Sequence, residues 1–495
     1  MKLLKILLII LLINAKASAQ THFVALTDSI HISGKVIGYK PGDEDNFIKF
    51  TTCNLGGDTK KQAFQLKADG TYDVKLYQAF AGDIQLNYKD AFVNIFVEPG
   101  KLLKLDIIGD RLLRGTGNRD AFVPQGDLAQ VNQLMLNFQT GFDQHKFAAT
   151  SSIGDNKQPD SAFAAKRMAQ LNEELAFLDA FIKQSHVESK AFINWQRNQL
   201  TYTAAKEMVF FPFFGKLNKT ITERQLLGFI KQIPISNNVA LANSAYYSFL
   251  NSLSSSEQII ININTTYDAI RKQNGYSGMP LYLNKVDSVA TGIAKQLMYY
   301  DMYRPQYNAS RFTQVADRYH TVLQDAYIKE LFDRRTRAAT DGFARYSITD
   351  RLKTLNVSDD LKKRLLDLFD KEKGNNLYID FWGDWCGPCM MEMPNYPNLI
   401  TAFDGKPLKF IFMAAYTTPQ NMLEIQNKYH IQAEFVNLTK DEVAIMNNVF
   451  DFHSYPSHFL VDRWGAVISN SLSGISSEAG LASVTKGINN LLQLK

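Results

Sequence analysis

Cysteine is scarce in this chain, with Cys53, Cys386 and Cys389 the only three in 495 residues. That excludes a framework stapled by several disulfides, the device that small exported domains use when their cores are too small. A chain of this length is too long for one hydrophobic core and predicts roughly two to four domains, none of them in need of staples. Long apolar runs are missing too. The most apolar stretch, Ile6–Ile13, is well short of the roughly 20 residues that cross a bilayer, and nothing else in the chain approaches a span. No charge of one sign dominates: 54 Lys and Arg stand against 49 Asp and Glu, and the net +5 is spread thinly with no basic block. That excludes a surface that tracks nucleic-acid phosphates. Hydrophobic and charged fractions of 45% and 21% describe ordinary folded protein, not disorder.

The first residues read as a processing signal. Lys2 and Lys5 precede the apolar run, and Ala17-Ser18-Ala19 supplies small residues before Gln20. This layout predicts a secretory signal over residues 1–19 that is cleaved after Ala19, or else retained as an anchor. No cysteine lies near the cleavage point, which excludes a lipoprotein anchor. In an exported chain so poor in cysteine, the pair at 386 and 389 is better explained by redox work than by structure. Cys53 is left over and is expected to be a buried core thiol.

Organisation changes along the chain. Residues 20–112 alternate apolar and polar positions, as in Ile30-His31-Ile32-Ser33-Gly34-Lys35-Val36 and Tyr72-Asp73-Val74-Lys75-Leu76, and predict an antiparallel β-sandwich or barrel. Asp69-Gly70 between two such runs is a hairpin signal, and Pro99-Gly100 marks another turn. Residues 113–350 turn to helical spacing and predict a central all-α domain. Met168, Leu171, Leu175, Leu178 and Phe181 mark one face of a helix over 162–182. Further helices are expected over 190–211, 223–232, 281–300 and 312–337, with Phe210–Phe214 as an apolar break that either packs in a core or offers a peptide-binding patch. No internal repeat stands out. A linker helix is expected over 351–374, starting after Ser358 as N-cap. Residues 375–495 alternate strands and helices and end in a hairpin, which predicts an α/β sheet of mixed direction.

The chemistry concentrates at the head of that last domain. Tyr378–Trp382 reads as a buried strand, followed by Gly383-Asp384-Trp385-Cys386-Gly387-Pro388-Cys389 and a helix. The thiolate is the nucleophile of disulfide exchange, and a cysteine at a helix start has unsatisfied backbone N–H groups aimed at its sulfur. Pro388 falls in the first turn, where its missing N–H is no loss. Cys389 follows one turn after Cys386, close enough to close a Cys386–Cys389 disulfide and release a mixed-disulfide partner. Asp380, on the apolar strand, is the candidate to exchange a proton with Cys389. A zinc site is the competing reading of Cys-x-x-Cys but lacks two further ligands; His453 and His458 bracket Pro456 and read better as loop and strand residues.

These residues resemble the thioredoxin superfamily, specifically the exported TlpA/ResA-like thiol–disulfide oxidoreductases. The resemblance is carried by Asp380-Phe381-Trp382-Gly383-Asp384-Trp385-Cys386-Gly387-Pro388-Cys389, and by Tyr455-Pro456-Ser457-His458-Phe459-Leu460-Val461-Asp462-Arg463-Trp464-Gly465, which is similar to the family's cis-proline loop and hairpin. It spans about residues 375–495. It implies a thioredoxin-like fold, Cys386 and Cys389 as catalytic thiols with Asp380 beside them, and a substrate groove at Trp385, Gly387, Pro388, Tyr455 and Pro456. Two departures stand out: a charged helix replaces the family's first hairpin, and the only lysine on the next strand, Lys409, lies near its start. A weaker resemblance links the Ile-x-Gly-x-Val start and Glu98-Pro99-Gly100 to the small β-domain found ahead of such domains.

The resemblance implies an exported, periplasmic enzyme with no metal or organic cofactor. Its partners would be exported proteins with cysteines or disulfides, plus a membrane or periplasmic electron donor or acceptor. Gly387-Pro388 between the cysteines favours a reductase, in cytochrome c maturation or redox homeostasis, over an oxidase or isomerase. The alternative from another class is a partner-binding or redox-sensing protein with the fold as scaffold.

Overall fold

The computed structural model describes residues 23–41, 45–112, 119–148, 160–214, 232–254, 284, 286–302, 321–340, 346–452, 454–469, 472 and 474–494. The expected signal segment, nearly all of the helix expected over 223–232, the first residues of those over 281–300 and 312–337, and His453 lie outside them.

Alternating residues form eight strands: β1 (Ile30–Ile37), β2 (Phe47–Cys53), β3 (Thr59–Gln65), β4 (Thr71–Leu76), β5 (Gly82–Tyr88), β6 (Ala91–Val97), β7 (Leu102–Ile108) and β8 (Phe122–Gly126). In β1 the period is plain: Ile30, Ile32, Gly34 and Val36 are buried and the residues between them are not. The strands make two four-stranded sheets, β4-β1-β7-β8 and β3-β2-β5-β6. Ile32, Val74 and Leu103 of the first share one apolar core with Phe50, Leu86 and Ile95 of the second.

Three expectations for this region are corrected. Pairing is not wholly antiparallel, because β1 and β7 run parallel. The chain between them passes through the whole second sheet, the kind of crossover that parallel neighbours require. Their close approach depends on Gly34, where a Cβ would strike the Leu105 carbonyl. Asp69-Gly70 is a tight turn, with Gly70 at φ 80° and the Thr71 N–H donating to Asp69 Oδ1 at 3.0 Å. It is not a hairpin, since β3 and β4 belong to different sheets. The turn signal is local, whereas the partner of a strand is chosen by packing. Finally, the β region runs past residue 112, because β8 adds to β7.

Helices α1 (Ala129–Gln144), α2 (Asp160–Gln184), α3 (Lys190–Phe214), α4 (Ser244–Ser254), α5 (Gly292–Met302) and α6 (Ala326–Thr340) follow. They do not close a core of their own: Phe138, Leu178, Tyr202, Phe249 and Met298 join the core of the two sheets. A buried carboxylate fastens the two layers. Asp83 on β5 accepts from Trp195 Nε1 at 3.0 Å, Ser244 N at 2.9 Å and Ser244 Oγ at 2.6 Å. Phe210–Phe214, expected to break the helices, has helical backbone to its end, while its side chains lie outside the described residues.

The rest of the chain builds a six-stranded sheet of order β12-β11-β10-β13-β14-β9. Its elements are β9 (Tyr346–Ser347), α7 (Ile348–Thr354), α8 (Asp359–Lys371), β10 (Asn376–Trp382), α9 (Gly387–Glu392), α10 (Tyr396–Ala402), β11 (Leu408–Ala415), α11 (Pro419–Lys428), β12 (Glu434–Leu438), α12 (Lys440–Phe450), β13 (Ser457–Val461), β14 (Ala466–Ser469) and α13 (Glu478–Leu492). β10, β11 and β12 run parallel, and β13, β14 and β9 add antiparallel pairs. Every residue of β10 is buried, as in a central strand covered on both faces.

The boundary at 375 and the linker helix are corrected here. β9 pairs with β14, and Leu352, Leu365 and Phe369 lie in one core with Ile379 and Phe450. The charge of α8 disguised an apolar face at Leu365 and Phe369, one turn apart. Ser358 is its N-cap residue but makes no side-chain cap bond; its N–H instead donates to Gln65 Oε1 on β3 at 2.7 Å. The same edge strand is held by Asn448 of α12, which accepts from Ala63 N at 2.9 Å and donates to Ala63 O at 2.7 Å. One side-chain amide thus covers part of an open sheet edge. Among the described residues no helix is long and apolar enough to cross a membrane.

Candidate active site

β10 sorts its residues by parity. Leu377, Ile379 and Phe381 face one core, while Tyr378 and Trp382 face the other, which also holds Cys386 and Cys389. Asp380 therefore shares the face of the cysteines. The strand ends in a turn that Asp384 ties down, accepting from Thr417 Oγ1 at 3.0 Å and Asn421 Nδ2 at 2.5 Å. At Gly383 a Cβ would strike the Trp385 indole, whose N–H donates to Ala415 O at 3.0 Å. Cys386 is the N-cap of α9 and its sulfur accepts from Cys389 N–H at 3.2 Å. The two cysteines are closed as a disulfide with Cα atoms 5.3 Å apart, and both are buried. Gly387 and Pro388 are exposed beside them.

The residues expected to form the groove are placed as follows. Trp385 is 53% exposed, and its ring meets Tyr455 edge-on at 5.2 Å. The Tyr455–Pro456 peptide is cis and leads directly into β13. Tyr416, which sequence reasoning did not single out, adds a half-exposed ring 6.4 Å from Trp385. Lys409 does not reach Asp380. It stands in register with Leu377, pairs with Glu372 at 2.7 Å, and leaves Phe412 opposite Asp380 on β11.

The partner of Asp380 comes from the other side. His458 on β13 is in register with Asp380, and its Nε2 lies 3.3 Å from Asp380 Oδ1 and 3.0 Å from Glu392 Oε2. Tyr396 donates to Asp380 Oδ2 at 2.8 Å. All four side chains are buried. Burial alone would push the His458 imidazolium down, but Asp380 and then Glu392 outweigh it and hold the pKa at about 10, so the ring is cationic at neutral pH. Burial, with Asp380 next, pushes the Tyr378 and Tyr396 hydroxyls well above their usual range. Cys53 is a partly buried thiol outside this site, and burial pushes it up as well. No group of His, Cys, Asp and Glu that could hold a metal ion is present among the described residues.

Sequence reasoning missed Glu392 and set His458 aside with the zinc reading. The signals were there: Glu392 follows Cys389 by three residues, on one helix face, and His458 follows Pro456 by two, on the strand beside β10.

No family model matches the chain. It is similar to the thiol-disulfide oxidoreductase ResA of Bacillus thuringiensis (strain Al Hakam) and of Bacillus anthracis, each 28% identical over 122 residues, which is 25% of this chain and 68% of theirs. A thioredoxin-family thiol:disulfide interchange protein from Chlorobium tepidum TLS aligns at 19% identity over 25% of this chain and 83% of its own, with a TM-score of 0.23. The strand–turn–helix disulfide and the similarity to the two ResA proteins support thiol–disulfide oxidoreductase activity for this part of the chain.

Proposed function

We propose that the protein is an exported thiol–disulfide oxidoreductase that acts as a reductase of disulfides in other exported proteins. The observation that carries the reading is the Cys386–Cys389 disulfide at the start of α9, set between an exposed aromatic rim and a buried acid–base cluster. In the reduced enzyme the Cys386 thiolate attacks a substrate sulfur, forms a mixed disulfide and expels one substrate thiolate. Cys389 then gives up its proton and attacks Cys386 Sγ, and the second substrate thiolate leaves. Two electrons pass to the substrate disulfide, and its two thiolates take up two protons. Asp380 serves the proton of Cys389, while Trp385, Gly387, Pro388 and the backbone of Tyr455 and Pro456 seat the substrate chain. A membrane or periplasmic dithiol partner returns the site to its reduced form. The signal-like start, Lys2 to Ala19, supports export to the periplasm, where cytochrome c maturation or disulfide repair would use such a donor.

Direction follows from the residues between the cysteines. Gly387-Pro388 matches thioredoxin, near roughly −270 mV, and not the oxidant DsbA near roughly −120 mV. Equilibration of the purified protein in dithiothreitol or glutathione buffers measures the potential. A value near thioredoxin's is the expected result, and one near DsbA's would reverse the direction. Insulin reduction tests the activity itself: it is expected in the wild type and absent in Cys386→Ser, and its persistence in that variant would sink the enzyme reading.

A further inference from the structure

We infer that His458 supplies the internal positive charge of the redox site, and that with Asp380 and Glu392 it forms a buried relay for the proton of Cys389. This rests on the oxidoreductase reading and adds residues that reading does not require. The geometry is a closed ring. His458 Nε2 stands 3.0 Å from Glu392 Oε2, 3.3 Å from Asp380 Oδ1 and 3.3 Å from the Tyr396 hydroxyl, which itself donates to Asp380 Oδ2 at 2.8 Å. The Tyr378 ring, stacked at 5.7 Å, fixes the plane of the imidazole. Gly474 makes room for the acid, since a Cβ there would strike Glu392 Oε1.

The titratable groups bonded or stacked against His458 come from three elements. β10 brings Asp380 and Tyr378; α9, the helix that carries Cys389, brings Glu392; and α10 brings Tyr396. The helix α13, which also packs on β13, buries Val484 and Ile488. One cation therefore meets two carboxyl groups. Glu392 follows Cys389 by one turn on the same helix, which puts one of the two carboxyl groups on the element that bears the resolving thiol. Tyr378, Trp382, Tyr396, Cys386 and Cys389 share a single core, which keeps water away from the transfer.

The S–H bond of Cys389 breaks and its proton goes to a carboxyl oxygen of the cluster. The freed electron pair forms the bond to Cys386 Sγ, and the bond from Cys386 to the substrate sulfur breaks. The substrate leaves as a thiolate, reduced, and the dithiol is left oxidised. The stored proton passes on to that thiolate by way of solvent. His458 is a positioning residue here, since it acts on the sulfur only through the carboxyls.

The test uses the full chain carrying Cys386→Ser, so that Cys389 and Cys53 are its only thiols, and follows thiolate ultraviolet absorbance through the neutral range. Cys53 stays silent there because burial pushes its thiol up. Adding His458→Asn is expected to raise the Cys389 midpoint by about one pH unit or more, a tenfold loss of thiolate below the midpoint. Adding Glu392→Gln instead removes a negative group and is expected to lower the midpoint. A folded His458→Asn protein with an unmoved midpoint overturns the inference. Should that variant not fold, a Glu392→Gln midpoint that fails to fall overturns it equally. Insulin reduction by the unmodified enzyme is a separate readout, so failure of the oxidoreductase reading and failure of the relay are told apart.

Discussion

Two carboxyl groups lie buried in different cores of the molecule, and their surroundings differ in one respect. Asp83, 4% exposed, has both oxygens engaged by neutral donors: the Trp195 indole, the Ser244 hydroxyl and the Ser244 amide. Burial raises its pKa while those bonds oppose the shift. Asp380, 1% exposed, has the Tyr396 hydroxyl on Oδ2, while its Oδ1 accepts no hydrogen bond among the described residues and faces the His458 imidazolium. Saturation by fixed donors makes the first a fastener between β5 and the helices. The second keeps one oxygen without a fixed donor, facing a titratable ring. The burial is the same, so the partners decide the role.

The comparison is broken most directly from its catalytic side. Cys386→Ser is expected to bring insulin reduction down to the uncatalysed rate while the unfolding midpoint of the Asp83 core stays in place. Next in size, Asp380→Asn is expected to slow turnover about 100-fold, the scale of a lost general base. Asp83→Ala should do the reverse. It strands the Ser244 amide and the Trp195 indole N–H in an apolar core, for a loss of about 2–4 kcal/mol in urea unfolding, and should leave kcat/KM within about twofold. A drop in turnover with Asp83→Ala at unchanged stability would erase the distinction between the two carboxyls.

How much of this was legible beforehand depends on the reach of each signal. The strand–turn–helix at Tyr378–Cys389 and the alternation of elements after it are local patterns, and strands β10 to β14 follow them. Strand partnership is not local. Nothing in Thr71–Leu76 says that it pairs with Ile30–Ile37 in one sheet while Thr59–Gln65 goes to the other. Tyr346–Ser347 is too short to show any period, yet it completes a sheet. The site divides in the same way. Cys386, Cys389 and Asp380 are readable from one continuous run. Glu392 and His458 acquire their meaning only from the register that sets His458 opposite Asp380, while Lys409 stands three rows away, beside Leu377.

The smallest effect expected is a pH dependence, and its sign separates the two cores once more. His458 has an ordinary pKa of 6.5, and in the folded protein the carboxyls beside it hold it at about 10. The folded state thus binds this proton more tightly than the unfolded chain. The stability it contributes is fully present below pH 6.5 and is lost as pH rises through about 10. Unfolding midpoints of the six-stranded domain, measured at constant ionic strength, should fall across that window. In His458→Asn the slope should flatten, with the midpoint already lower at its acid end, because two carboxyls then lie buried without their cation. In Asp83→Ala the slope should persist beneath a general loss of stability, since the groups that Asp83 bonds, Trp195 and Ser244, do not titrate. A slope that survives in His458→Asn would assign the alkaline transition to another group and deprive Asp380 of the charged neighbour that sets it apart from Asp83.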